Sequence, residues 1–204
     1  WYWRDHVLHN TRSWGKYTFG EVYDARLEVL AAHAATGMAV TDYALHEEIK
    51  NAFTFGGDLR RLDGAGYAAR DSAQSLTFVE NNDVGPPPNR QLAYAFIAAY
   101  PGYPAFANVL LGDDWMANLA WVHNHLATGD YVPRVVERDT LVFERRGNLL
   151  AVINQSPHWQ NRWVSTSFSN VTLHDYSGHA ADTQVAADGR VRIDVPPMSY
   201  AMYG

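Results

Sequence analysis

Two acidic residues stand at positions where a pair of carboxyl groups could do chemistry. Glu21 ends a short aromatic run that favours a strand, and Asp83 follows the strand-like run 75–81. In a parallel α/β barrel the active site lies at the carboxyl ends of the strands, so two such acids would point into a common mouth. Glycoside hydrolysis needs such a pair: one carboxyl protonates the leaving oxygen, and another opposes the positive charge that develops on the sugar. Spacing alone leaves a second interpretation open, in which Glu21 caps the next helix and Asp83 begins a turn.

Strand-like and helix-like segments alternate over the first 128 residues. After a helix that ends at Gly15, the predicted strands are 16–24, 38–42, 75–81 and 103–110, and the predicted helices are 25–36, 43–53, 91–100 and 113–128. This alternation is typical of βαβ units in a parallel sheet. Four such units make half of a (β/α)8 TIM barrel.

Four strands cannot close a barrel of that size. We therefore expect the remaining strands to come from a partner chain or from a missing N-terminal half. That half would dock on the open edges of the sheet and cover barrel-facing side chains such as Phe78 and Phe106.

The pattern changes after Gly129. Short strand-like runs separated by turn signals cover the rest of the chain, at 140–144, 149–154, 162–165, 171–176, 191–195 and 199–203. This pattern predicts a small antiparallel β-sandwich domain. The predicted domains are therefore residues 1–129, a half barrel, and residues 130–204, an antiparallel β domain.

The composition excludes several classes of function. The 204 residues carry a net charge of −6 with scattered basic residues, which argues against a nucleic-acid partner. No apolar run reaches the roughly 18 residues of a membrane span, and the absence of cysteine excludes disulfides and thiolate sites. Aromatic residues make up 13% of the chain, a load that suits either core packing or stacking on sugar rings. None of these features predicts a cellular location.

Two six-residue motifs carry a family resemblance, Phe19-Gly20-Glu21-Val22-Tyr23-Asp24 and Phe78-Val79-Glu80-Asn81-Asn82-Asp83. They resemble the fifth-strand and seventh-strand motifs of the α-amylase family, glycoside hydrolase family thirteen. Other stretches resemble further parts of archaeal-type α-amylases, in matching order: 42–45, 93–97, 100–104, 121–126, 154–159 and 174–178.

The resemblance implies that the chain runs from the fourth helix of the barrel through its eighth helix into the C-terminal β domain. It implies retaining cleavage of α-1,4-glucan, with Glu21 as general acid/base and Asp83 as the stabiliser of the transition state. Asn82 and Tyr23 would contact the sugar. The family's nucleophile, an aspartate of the fourth strand, precedes this chain, so we expect the isolated chain to be inactive. The resemblance implies no cofactor here, because the family's calcium sites lie mostly in the missing part.

Departures from the family pattern keep an alternative open. Asn82 stands where the family has a histidine that grips the sugar, and asparagine is shorter and cannot be cationic. Val84 replaces a threonine, and Ala107-Asn108-Val109 lacks the usual aromatic and acidic residues. The alternative is a non-catalytic pseudoenzyme, or a structural module that binds glycan or protein.

Other polar clusters predict no metal site. His46-Glu47-Glu48 lacks the second histidine of a zinc-protease motif and is expected on a helix surface. His123 and His125 are expected to serve as helix surface or packing. His158-Trp159 is expected to pack in a turn, with stacking on a sugar as the alternative. Asp113-Asp114 is expected to be a helix N-terminal charge cap rather than a calcium ligand.

Overall fold

A four-stranded parallel sheet lies in the first half of the chain. The computed structural model describes residues 2–107 and 112–204. The strands β1 (Phe19–Gly20), β2 (Ala39–Thr41), β3 (Ser75–Phe78) and β4 (Tyr103–Ala105) pair in sequential order, each parallel to the next. Because parallel neighbours need a crossover, each strand is followed by helical structure.

The helices of this region follow the predicted order. A π-helical segment (Trp3–Leu8) leads into α1 (His9–Ser13), and α2 (Leu27–Ala34), α3 (Tyr43–Ala52), α4 (Arg90–Ala99) and α5 (Asp114–His125) follow the four strands. Two short 3-10 helices, Leu59–Leu62 and Ser72–Gln74, lie in the long connection before β3. None of the helices within residues 2–107 and 112–204 is long and apolar enough to cross a membrane.

Two predicted strands are much shorter than expected. The run 16–24 forms only β1, and the run 103–110 forms only β4, with residues 108–111 outside the described part of the chain. β1 pairs with β2 through two residues, Phe19 and Gly20. Beyond Gly20 the chain leaves the ladder, and the backbone N–H of Val22 donates instead to the Thr41 side chain. Strand propensity without a second partner is therefore not enough to extend the ladder.

Antiparallel strands make up the second half. β5 (Tyr131–Val136), β6 (Thr140–Arg145), β7 (Leu149–Asn154) and β12 (Ser199–Tyr203) form a sheet of order β12-β7-β6-β5. β8 (Gln160–Ser165) pairs with β11 (Arg190–Val195), and β9 (Thr172–Leu173) pairs with β10 (Thr183–Gln184). The sequence patterns missed β5 and β10, and the run 171–176 forms only the two-residue β9.

One apolar core runs through both halves. Every residue of α4 from Leu92 to Ala99 is buried, because the helix packs on β3 from one side and on β7 and β12 from the other. Phe96 of α4 contacts Phe143 of β6 edge to face, with 6.0 Å between ring centroids. A second core lies between the antiparallel sheet and the β8–β11 ribbon. The predicted boundary at residue 129 falls between α5 and β5, but the two sides share packing.

Two expectations about side-chain exposure were wrong. His46 is fully buried, not on a helix surface, because it lies on the same face of α3 as Ile49 and Phe53. Its ring stacks on Phe78 at 4.7 Å, with 7° between the planes. Phe78 is therefore covered by this chain itself, and Phe106 is partly buried against the core. Phe106 keeps part of its surface exposed, so the expectation was wrong only for Phe78.

Candidate active site

Glu21 lies where the chain leaves β1. The N–H of the next residue, Val22, donates to the Thr41 hydroxyl at 2.9 Å, which ties this segment to the carboxyl end of β2. Val22 is itself buried against Leu30 and Val40. The backbone on the C-terminal side of Glu21 is thus held while its side chain remains exposed.

Asp42 fixes the start of α3, the helix that follows β2. Its buried carboxylate accepts hydrogen bonds from the Leu45 N–H at 2.9 Å, the Ala68 N–H at 2.8 Å and the Ser75 hydroxyl at 2.9 Å. An N-cap aspartate satisfies N–H groups that the first helical turn leaves open. This aspartate also joins α3 to β3, so Asp42 serves the structure, and the position of its neighbour Tyr43 is well defined.

The loop that carries Asp83 is held by hydrogen bonds within the loop and by hydrogen bonds from side chains of α4. Oδ1 of Asn81 accepts the N–H groups of Asp83 and Val84, each at 2.9 Å. Before it, the Glu80 carboxylate accepts from Arg90 Nε at 2.6 Å and from the Tyr94 hydroxyl at 2.8 Å. This anchor leaves Asp83 exposed at the tip of a constrained turn.

The two acidic segments meet at the hydroxyl of Tyr43. Tyr43 Oη donates to Glu21 Oε1 at 3.1 Å, and Asn81 Nδ2 donates to Tyr43 Oη at 3.0 Å. Burial raises the pKa of Tyr43, and the hydrogen bond to Glu21 and the charges of Glu21 and Asp83 raise it further. Glu21 and the turn that carries Asp83, which are 62 positions apart in sequence, are therefore linked through one hydroxyl group, which bonds Glu21 and Asn81. The sequence motifs contained Tyr43 and Asn81 but gave no sign of their role.

The two predicted sugar-contacting residues are both exposed. The Tyr23 ring meets Tyr43 edge to face, with 4.7 Å between centroids. Glu21 and Tyr23 line a cleft of about 820 Å³ that also borders Trp3 and Phe19. Asn82 and Asp83 share one turn, and neither lines that cleft, so Glu21 and Asp83 do not open into the same cleft in this chain.

The remaining sequence candidates lie away from this site. His123 is partly buried on α5, with Nδ1 3.1 Å from the Ala98 carbonyl, and burial lowers its pKa. His125 stacks on the Trp121 ring, and His158 and Trp159 are exposed. Asp113 is the N-cap residue of α5, though its side chain makes no capping hydrogen bond. In the described ranges, no group of three or more His, Asp or Glu side chains is placed to hold a metal ion.

Comparison with known proteins finds that the chain is similar to α-amylases. Residues 149–204 match the family described as α-amylase C-terminal. An α-amylase-related protein of Drosophila auraria is 35% identical in an alignment 106 residues long that covers 46% of this chain and 21% of that protein. Both matches are to α-amylases or α-amylase-related proteins. The sequence match of the family lies entirely within the antiparallel half.

Solved α-amylase structures share the fold of the whole chain. An Anoxybacillus α-amylase superposes with a TM-score of 0.78 at 16% identity, over 100% of this chain and 55% of that one. The Geobacillus thermoleovorans α-amylase, solved in complex with acarbose, gives a TM-score of 0.77 at 15% identity, over 99% of this chain and 56% of that one. This chain thus spans about half the length of these structures and a fifth of the curated relative.

Proposed function

We propose that this chain supplies the acid/base half of the active site of a retaining α-1,4-glucan hydrolase. In this proposal the parallel sheet is the second half of a (β/α)8 barrel, and the antiparallel region is the C-terminal domain of an archaeal-type α-amylase. The observation that carries it is the contact of Tyr43 with both acidic segments: its hydroxyl bonds Glu21 and Asn81, two residues before Asp83, beyond the carboxyl ends of two strands of one sheet.

Each carboxyl group then has one task. Glu21, exposed in a cleft that borders an aromatic ring, protonates the glycosidic oxygen and later takes a proton from water. Asp83 opposes the positive charge on the sugar ring in the transition state. Tyr23 offers its exposed ring to the sugar, and Asn82 offers an amide next to Asp83. The nucleophilic carboxylate and the other barrel strands come from sequence outside this chain, so the isolated chain should not cleave α-glucan.

A matched pair of variants tests the proposal in a barrel-complete protein, in which the other half of the barrel is joined to this chain. Glu21→Gln should lower the rate of maltooligosaccharide cleavage by about a thousandfold or more while preserving binding, because glutamine cannot give up a proton. Glu28→Gln is the control, an exposed glutamate in the first turn of α2. Equal rates for Glu21→Gln and the parent would refute the assignment of Glu21.

Asn82 supports a second candidate, a non-catalytic glycan-binding module. An asparagine at this position can hydrogen-bond a sugar but supplies no positive charge. This candidate predicts that the barrel-complete protein binds maltooligosaccharide and does not cleave it. Replacement of Asn82 by histidine would then leave the protein inactive, whereas in a weakened enzyme the same change should raise the rate.

A further inference from the structure

We propose that Tyr43 is a positioning residue that gives the two oxygens of the Glu21 carboxyl different tasks. The Tyr43 hydroxyl holds Oε1, and Oε2 carries the proton that passes to the glycosidic oxygen. The inference rests on the proposed function of Glu21 and deepens it, because it names the oxygen that transfers the proton and the residue that selects it.

The direction of the hydrogen bonds follows from the Asn81 amide. Its Oδ1 accepts two backbone N–H groups, those of Asp83 and Val84, so the other amide atom is the NH2 group, which can only donate. That group donates to Tyr43 Oη at 3.0 Å. The hydroxyl accepts this bond and directs its own proton to Glu21 Oε1, 3.1 Å away. Donation therefore runs from Asn81 through Tyr43 to Glu21.

A donor fixed at Oε1 determines where a neutral Glu21 keeps its proton. A carboxylic acid has one proton, and Oε1 already faces a donor, so the proton belongs on Oε2. Oε2 takes part in none of the hydrogen bonds found in the described parts of the chain, and the Glu21 side chain is exposed. Oε2 is thus available to a substrate in the cleft.

Each half of the retaining reaction can then be written on Oε2. In the first half, the Oε2 proton moves to the glycosidic oxygen as the C–O bond breaks and its electron pair stays on that oxygen. The sugar carbon bonds to the nucleophilic carboxylate supplied by the rest of the barrel. In the second half, a water proton returns to Oε2 as the water oxygen bonds to that carbon and the nucleophile leaves. Between the two halves Glu21 is ionised, and the Tyr43 donor stabilises its charge.

Packing holds the Tyr43 ring in place for this task. The side chain is 4% exposed and meets Phe78 edge to face at 5.0 Å, from β3. The titratable groups around it are Glu21 at its hydroxyl, Tyr23 at 4.7 Å between ring centroids, and His46 of its own helix at 5.9 Å. The charge of Asp83 acts on it without a hydrogen bond. Of these groups, only the carboxylates of Glu21 and Asp83 carry a charge that opposes ionisation of the Tyr43 phenol. Loss of the Glu21 charge should therefore change the pKa of Tyr43 measurably.

The first test uses this chain without any activity assay. A titration of tyrosines labelled with ¹³C at the ring carbon that bears the hydroxyl should show that Glu21→Gln lowers the pKa of Tyr43, because a carboxylate acceptor is lost. Glu21 is exposed, so this variant should fold normally. Glu28→Gln, the control, should leave the pKa of Tyr43 unchanged. If Glu21→Gln also leaves it unchanged, the proposed contact does not exist and the inference is overturned.

The second test uses the barrel-complete protein. Tyr43→Phe should reduce kcat about tenfold with little change in KM, because a hydrogen bond to a charged group is lost. The alkaline limb of the pH–rate profile should move to higher pH, since the ionised carboxyl has lost a donor. Tyr67→Phe, at a buried tyrosine packed with Val22 and Leu30, is the matched control.

The outcomes separate the two proposals. A Tyr43→Phe protein with the parent's kcat and pH profile would overturn the role of Tyr43 even if cleavage depends on Glu21. A barrel-complete protein that cleaves no glucan would remove the proposed function, while the titration would still decide whether Tyr43 and Glu21 are coupled.

Discussion

Two glutamates in this chain have opposite surroundings. Glu144, on β6, is fully buried, and its oxygens accept from Arg134, from the backbone and hydroxyl of Ser167, and from the Gly147 N–H at 3.0 Å. Glu21 is exposed and, among the described residues, accepts one hydrogen bond, from Tyr43. A carboxylate saturated with donors stabilises the fold, whereas one with an open oxygen can exchange a proton with a ligand. The number of donors therefore distinguishes these two acids: Glu144 has no oxygen left for a ligand, and Glu21 has one.

Removal of the Glu144 charge should have the largest effect on stability. Burial alone would raise the pKa of Glu144, but the hydrogen bonds from Ser167, Gly147 and Arg134 together lower it. Glu144→Gln leaves the largely buried Arg134 without its ion partner, and the free energy of unfolding should fall by about 2–3 kcal/mol. Urea unfolding at pH 7 measures this change.

A second glutamate–arginine pair serves as the control for Glu144. Glu137 pairs with Arg162 at 2.7 Å, but the Glu137 side chain is 53% exposed. Glu137→Gln should change the free energy of unfolding by less than about 1 kcal/mol, as exposed ion pairs usually do. Equal losses for the two variants would mean that burial does not distinguish them.

The sequence predicted the order of elements better than the site they build. Apolar residues placed α3 and α4 within a residue or two of their ends, because α3 buries one face and α4 is buried from Leu92 to Ala99. The apolar periodicity of α3 could have revealed that His46 is buried, since it lies three residues before Ile49. The sequence interpretation instead placed His46 on the helix surface together with the charged residues Glu47 and Glu48. The contact between Tyr43 and Glu21 joins residues 22 positions apart, and no local pattern specifies the packing that creates it.

The burial of His46 should produce a moderate pH effect on stability. Burial lowers the pKa of His46 from its ordinary value of 6.5. Below pH 6.5 the unfolded chain therefore binds a proton that the folded chain resists, so stability declines as the pH falls. One histidine contributes at most about 1.4 kcal/mol per pH unit to this decline.

A leucine substitution isolates that contribution. His46→Leu should reduce the difference in unfolding free energy between pH 7.5 and pH 5.5, because the leucine cannot take up a proton in the unfolded chain. His158→Leu, at an exposed histidine, should keep the parent's pH dependence. A His46→Leu protein that loses as much stability in acid as the parent would show that His46 is not the sensitive group; His123, whose pKa is also lowered by burial, would be tested next.

The smallest expected change in stability comes from the residue with the largest expected role in catalysis. Glu21 is exposed, and Tyr43, which donates to it, keeps a second partner in Asn81 when Glu21 is replaced. Glu21→Gln also keeps an amide oxygen that can accept from Tyr43. The free energy of unfolding at pH 7 should therefore change by less than about 0.5 kcal/mol. A loss comparable to that of Glu144→Gln would mean that Glu21 belongs to the framework, and the contrast between the two acids would no longer mark a catalytic site. A neutral result, together with loss of cleavage in the barrel-complete protein, would assign Glu21 to chemistry alone.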